Sequence, residues 1–353
     1  MVQLGNRRIG DDQPTYITFE AGPTHDGLES AKKLAAHAVE AGADAIKFQV
    51  VDPDRLVADR SQPFTYEVLV NRETGETETV TEPLYDILQR RVLNTEEWHQ
   101  LKGYCDEQGI AFFATATFEE EIDLLCDIEC ASLKIASGDV NHLPLIRRAA
   151  RTGMCIQLDT GSSTLGEIET AVEAIRAEGN EQIIIHQCPS GYPARADSIN
   201  LNIIPTLKQM FGYPAAFSDH TPGREMDIAA VAKGANLVEK TITLDRMTRS
   251  VEHVMSLEPN EMADFVESMR ALETALGTSR RILHSKENES RLAVRRSVFL
   301  AEEGRAGQRL GDVAVEFRRP GHGLAPDRYE ELVDATLGRD LPAGHRLSLA
   351  DLA

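Results

Sequence analysis

Three things are scarce in this sequence: paired cysteines, long apolar runs and positive charge. The five cysteines, Cys105, Cys126, Cys130, Cys155 and Cys188, include no CxxC pair. Most lie in apolar stretches, which points to buried, reduced thiols and a cytoplasmic protein rather than a disulfide scaffold. Cys126 and Cys130 stand one helical turn apart, but two thiols alone do not make a metal site. No apolar run approaches the roughly 18 residues a spanning helix needs, and no basic-then-apolar leader opens the chain. Lysine and arginine total 37 against 57 aspartates and glutamates, a net charge of −20. That field repels nucleic acid and anionic membranes. It also means that an anionic substrate has to be met by a local cluster of cations.

What is present is a repeated unit. Short strand-like runs recur as Tyr16–Glu20, Ala45–Gln49, Ala111–Thr115, Ser132–Ser137, Cys155–Asp159, Ile183–Gln187, Ala215–His220 and Leu237–Thr241. Nearly every run ends in a polar or charged residue. Helical spacing separates them: Leu28–Ala41, Thr95–Gln108, Phe118–Leu125, Leu143–Thr152, Thr164–Glu178, Ile199–Met210, Arg224–Lys233 and Glu261–Leu276. Strict alternation of strand and helix predicts βαβ units closed into a parallel (β/α)8 TIM barrel. In such a barrel the polar strand ends mark the active-site rim, so the chain reads as an enzyme. The 353 residues leave room for one barrel of roughly 250 residues and a small second domain.

Two segments depart from the rhythm. Residues 54–83 form an insertion after the second strand, expected as a flap near the rim or as a hairpin turning at Glu73-Thr74-Gly75-Glu76. After the barrel (1–278), residues 279–293 read as a polar linker or partly ordered arm. Residues 294–353 read as a small β-rich, glycine-punctuated domain.

Lys47 and Lys134 each sit inside an otherwise apolar strand, where a lysine must be paired or serve a ligand. Ser137-Gly138 and Thr160-Gly161-Ser162-Ser163 follow the fourth and fifth strands and offer hydroxyls and N–H groups to a phosphate oxygen. Glu20, Glu239 and Asp219-His220 end or occupy the first, eighth and seventh strands. These are placed to share one side of the cavity, where they could bind hydroxyls, orient a metal or move protons. His25 lies in the glycine-flanked loop Gly22–Gly27, where a structural or binding role outweighs a catalytic one.

At Phe19–Gly27, Gly42–Gln49, Leu133–Asp139, Cys188–Pro193, Phe217–Thr221 and Val238–Asp245 the chain resembles the sialic acid synthase family. Arg318–Gly323 is similar to the motif of that family's C-terminal antifreeze-like (SAF) domain. The resemblance implies condensation of phosphoenolpyruvate with the open-chain aldehyde of an N-acylated amino sugar, such as N-acetylmannosamine or a diacetamido hexose. The products would be a nonulosonic acid and inorganic phosphate. It implies Glu20, Lys47, His220 and Glu239 in catalysis, and Lys134, Ser137, Asp159, Ser190 and Ser218 around phosphoenolpyruvate. Thr24, Gln49, Thr115, Tyr192, Asp219 and Arg319 would face the sugar, Arg319 coming from the partner of a domain-swapped homodimer. A divalent cation, manganese or magnesium, would be bound through His220.

Three residues depart from the family pattern. Thr241 stands where the second metal-binding histidine is usual, and His253 matches a different family histidine. Asp159 replaces a serine, and is expected to be protonated, to be paired with a cation, or to turn toward metal and supply the missing ligand. Thr24 replaces an asparagine. These changes leave open a different or phosphorylated aldehyde, or a homologue that binds carbohydrate with altered catalysis. Barrels that make heptulosonic or octulosonic acids have related chemistry but need no trailing β-rich domain.

Overall fold

The computed structural model describes residues 1–353, which divide into two compact units, Met1–Gly277 and Thr278–Ala353. The first unit is a closed barrel of eight parallel strands in sequential order. They are β1 (Tyr16–Glu20), β2 (Ala45–Gln49), β3 (Ala111–Thr115), β4 (Ser132–Ile135), β5 (Cys155–Asp159), β6 (Ile183–Gln187), β7 (Ala215–Asp219) and β8 (Leu237–Thr241). Closure is made by β8 against β1, in a register that sets Thr241 opposite Glu20.

Helices cover the outside of the barrel because each strand presents one apolar face outward. Ile17, Phe19, Ile46, Phe48, Phe112, Leu133, Ile156 and Leu158 pack in one large cluster with Leu34, Ala38, Leu101, Ile146 and Phe265 of the surrounding helices. Helix starts follow local chemistry. Asn94 caps Thr95–Gln108 by accepting from the Glu97 N–H at 3.0 Å while Glu97 reaches back to the Asn94 N–H. Gly109 ends that helix at a φ of 74°.

The lower end of the barrel is closed by a hairpin that the periodicity did not reveal. Val2–Leu4 pairs antiparallel with Arg7–Ile9. Val2, Leu4 and Ile9 pack against Tyr16, Ala45, Phe113, Cys155 and Leu237, near the starts of the barrel strands. With that end plugged, a substrate reaches the interior only from the strand C-termini.

The insertion is a hairpin, Pro63–Asn71 with Glu76–Pro83, whose base packs on the rim. Tyr66 and Val68 cluster with Ile87, Val251 and the partly buried Tyr192. Arg72 at the tip forms a fork with Glu258, both contacts at 2.7 Å, and also pairs with Asp245. Both expectations therefore meet in one element, a two-stranded hairpin that lies against the active rim.

The second unit has its own core of Val298, Leu300, Leu310, Val313, Leu324, Leu337, Leu341 and Leu347. Its one regular strand pair is Ser297–Leu300 with Val315–Arg318. Ser285–Val294 is helical, in the stretch that reads as a linker from its polarity.

Candidate active site

A cavity of about 440 Å³ opens at the C-terminal end of the strands. Glu20, Lys47, Gln49, Thr115, Ser137, Asp159, Tyr192, His220 and Glu239 all line it. Its floor is a buried ion network. Lys47 pairs with Glu20 and, at 2.9 Å, with Glu239. Lys134 lies just beneath the cavity floor, 1% exposed, and donates to the same Glu239 oxygen at 2.6 Å. It also reaches Asp159 at 3.0 Å and the Ser218 hydroxyl at 2.9 Å. Both lysines thus project inward, and Glu239 bridges them.

The network sets the two glutamates apart. Burial alone would push the Glu239 carboxyl up, but Lys134 and Lys47 overcome it and hold the group well below the usual carboxylate range. Glu20 goes the other way. Burial raises it, Lys47 opposes, and the charge of Glu239 raises it further. One carboxylate stays ionised while its neighbour resists ionisation, an arrangement that separates an electrostatic role from a proton-handling one. Lys47 is itself held well above its ordinary value: burial lowers it, and Glu20, Glu239 and Asp159 outweigh the burial.

Local backbone fixes this pair. Glu20 Oε1 accepts from the Gly22 N–H at 2.7 Å and from Gln49 Nε2 at 3.3 Å. A Cβ on Gly22 would stand 2.5 Å from that oxygen and 2.8 Å from the Gln49 backbone nitrogen, so only glycine fits. Gly161 plays a similar part beside Ser137, where a Cβ would come within 3.0 Å of the Cys188 carbonyl and 3.1 Å of the Ser137 Cβ.

A second polar chain supports the floor from below. Ser218 donates to Asp159 at 3.0 Å and contacts His186 Nδ1 at 2.9 Å. His186 Nε2 meets the Gln157 carbonyl oxygen at 2.9 Å, and Gln157 donates to Ser132 at 3.0 Å. Burial, with Lys134 next, pushes His186 down to about 3, so it is neutral. His186 was visible only as one more polar strand end.

Several expected site residues have other partners. Asp219 points to the helix-covered side. Successive strand residues face opposite ways, so with Ser218 inward Asp219 must point out, as must Lys240 beside Glu239. The two pair there, with Asp227 at 3.6 Å from the Lys240 amine, and Asp219 also accepts from Thr221 at 2.9 Å. Asp219 is therefore not a sugar ligand. The Thr24 hydroxyl donates to the Ile242 carbonyl at 2.6 Å and lies outside the main cavity. Ser190 is exposed and spends its hydroxyl on Ser162 at 2.8 Å. Arg319 belongs to the second unit, next to the strand end Arg318.

His220 Nδ1 meets the Pro189 carbonyl at 2.9 Å, which makes Nδ1 the donor and leaves Nε2 with its lone pair. Burial lowers its pKa, so the ring is neutral. Its ring centroid lies 4.7 Å from that of Tyr192. For a divalent ion the cavity thus offers one imidazole nitrogen. Asp159, the expected substitute ligand, is tied to Lys134 and Ser218, and Thr241 brings no nitrogen. No group of three His, Cys, Asp or Glu side chains assembles with metal-binding geometry. The donor set does not fit a protein-held cation.

Sequence reasoning missed two cavity residues. Arg91 follows the short helix Leu84–Gln89, and Glu252 follows Val251 in the segment after β8; both line the cavity and both are buried. Glu252 has a φ of 71°, a left-handed backbone uncommon for a residue with a side chain.

A barrel whose interior ends in this lysine–carboxylate network can be compared with known proteins. The NeuB family profile matches residues 34–281. The chain belongs to the NeuB family, the sialic-acid-synthase-like group of enzymes. It is 32% identical over 353 residues to the N,N'-diacetyllegionaminic acid synthase of Legionella pneumophila, covering 97% of each. It is 30% identical over 352 residues to a pseudaminic acid synthase of Campylobacter jejuni, covering 99% of each. Among solved structures, the N-acetylneuraminic acid synthetase of Leptospira borgpetersenii, in complex with citrate, superposes with a TM-score of 0.71 at 31% identity. That match covers 82% of this chain and 94% of the other. No helix of this NeuB-family chain is long and apolar enough to cross a membrane.

Proposed function

We propose that this protein condenses phosphoenolpyruvate with the open-chain aldehyde of an N-acylated amino sugar, forming a nonulosonic acid and releasing inorganic phosphate. The observation that carries the reading is the Lys47–Glu239–Lys134 bridge, set beneath a cavity that Ser137-Gly138 and Tyr192 line from the loops after β4 and β6.

In this reading phosphoenolpyruvate lies toward Ser137-Gly138, whose hydroxyl and N–H groups donate to a phosphate oxygen without bringing negative charge. The enol carbon attacks the aldehyde carbon. One C–C bond forms, the aldehyde oxygen takes up the electron pair, and positive charge develops at the carbon bearing the phosphate. Glu239, kept ionised by its two lysines, stabilises that centre. Water then adds there, and the resulting tetrahedral carbon expels phosphate. Glu20 is suited to take the proton from this water or to return one to the new alkoxide. Tyr192 is the donor available to the aldehyde or a sugar oxygen. Burial raises its pKa, so the phenol stays protonated, and its hydroxyl donates to no protein group.

Phosphate release from phosphoenolpyruvate, measured against N-acetylmannosamine, its 6-phosphate and the diacetamido hexoses, tests the proposal. Aldehyde-dependent release of phosphate, with a sugar acid formed in equal amount, is the expected result. Phosphoenolpyruvate that binds but is never consumed with any acceptor would point instead to a carbohydrate-binding role.

A further inference from the structure

The cavity contains a cation with charge to spare. Lys47 and Lys134 are already met by Glu20, Glu239 and Asp159, so the two ammonium groups face three carboxylates. Arg91 differs. It is 5% exposed and lines the cavity, yet its guanidinium makes no hydrogen bond and no carboxylate stands within ion-pairing distance. A guanidinium cannot shed its proton to escape burial. Left unpaired it is costly, and in a ligand cavity the natural compensation is a ligand anion.

Its position says which ligand. Arg91 shares the main cavity with Glu20 and Glu252, and a second one with His25 and His253. These belong chiefly to β1 and the segment after β8. Ser137 and Gly138 follow β4 and Asp159 ends β5, half-way round an eight-stranded ring from β8 and β1. Arg91 therefore serves the end of the cavity remote from the phosphate-accepting turn. A second cavity of about 260 Å³ shares Arg91 as a wall, together with Arg90, Arg249, His25 and His253. Arg90 and Arg249 are paired there with Glu82 and Glu78, while His25 Nε2 is buried without a partner.

We propose that Arg91 binds an anionic substituent of the acceptor sugar, a phosphate or a carboxylate, and so selects a charged amino-sugar aldehyde over a neutral one. The inference rests on the condensation proposed above and names its acceptor class. Glu252 does not oppose it. Burial, only partly offset by Arg91, pushes its carboxyl up to about 7, so near neutral pH a large share is protonated and able to donate to the same ligand.

The test uses the full chain and compares N-acetylmannosamine, its 6-phosphate and the corresponding N-acetylmannosaminuronic acid as acceptors. Phosphate release is measured for wild type, Arg91→Gln and Arg91→Lys, and direct binding of each sugar is measured by calorimetry. One anionic acceptor should exceed the neutral sugar by about 100-fold in kcat/KM, as expected for charge-assisted bonds to a buried cation. Whether the phosphate or the uronate leads identifies the group. Arg91→Gln should collapse that ratio, mainly through KM, and Arg91→Lys should restore part of it. Equal or better use of the neutral sugar, or a ratio unchanged in Arg91→Gln, overturns the assignment. Absence of turnover with every acceptor, alongside Arg91-dependent binding of the anionic sugars, would overturn the condensation reading and uphold the anion site. Absence of such binding as well would overturn both.

Discussion

Replacing Lys134 by methionine tests the logic of the buried network most directly. The side chain fits the same volume but removes the cation that holds Glu239 at 2.6 Å, Asp159 at 3.0 Å and Ser218 at 2.9 Å. Lys47 would then face three carboxylates alone. Breaking a buried ion pair from one side costs about 3–5 kcal/mol, because the stranded charges remain buried. A loss of that size lowers a melting temperature by on the order of 10 °C in a domain this large. Its sign with pH follows from Glu239. In the wild type this carboxyl is held below its ordinary 4.5, so its contribution to stability is present above that value and fades only in acid. In the variant the carboxyl shifts upward, and stability drains away as pH rises through its new value. The gap between the two proteins should therefore be widest at pH 8 and narrow by pH 5. Trp98 is the only tryptophan, 2% exposed and packed on Phe48 and Phe112 of the barrel, so its fluorescence in urea reports the barrel without the second unit. A loss under about 1 kcal/mol at pH 8, or a gap independent of pH, would refute the network as described.

Other outcomes follow from the same geometry. Lifting the Glu252 carboxyl from 4.5 to about 7 corresponds to about 3 kcal/mol lost as pH rises through that window, with Arg91, Glu20, Lys47 and Glu239 the charges acting on it. Glu252→Gln should remove that loss and be the more stable protein at pH 8; parallel pH profiles for the two from pH 5 to 8 would contradict it. Asp219→Asn should weaken the barrel through Lys240 while leaving the affinity for phosphoenolpyruvate unchanged, and a selective rise in acceptor KM would return Asp219 to the site. Mn²⁺ titrated into substrate-free, metal-stripped protein should show no saturation at stoichiometric concentration, because His220 Nε2 is the one neutral nitrogen offered. Tight calorimetric binding would show that the side chains rearrange around the ion.

The barrel was legible because each strand announces itself twice, by an apolar run and by a polar residue where the run stops. Lys47 and Lys134 could be assigned inward for the same reason, since a lysine inside a parallel strand has few other places to go. Alternation also held the answer for Asp219: with Ser218 inward, its neighbour had to face the helices. Other parts depend on contacts distant in sequence. Val2–Leu4 and Arg7–Ile9 are too short to signal a hairpin, and only the barrel's open lower end gives them something to cover. Arg91 looks like half of a solvated Arg90-Arg91 pair after a helix. Arg90 does go to the surface, to Glu82, while Arg91 turns into the cavity.

The opposite shifts of Glu20 and Glu239 connect fold to chemistry. Both are buried glutamates, and both touch Lys47, so residue type cannot distinguish them. What separates them is Lys134, which touches Glu239 and makes no direct pair with Glu20. Strand order accounts for that difference: β8 brings Glu239 to where the side chains from β2 and β4 converge, whereas Glu20 on β1 meets Lys47 and Gln49 of the adjacent β2 and the Gly22 N–H. Exchanging the two roles would require moving a lysine between strands, not merely substituting a carboxylate. Glu20→Gln should therefore cost turnover, since a proton acceptor is gone, yet largely spare the barrel, because Glu239 still compensates both lysines. Glu239→Gln should cost turnover and stability together. Equal destabilisation by the two substitutions, read through Trp98, would mean that the cations are shared evenly and that no division of labour exists between the carboxylates.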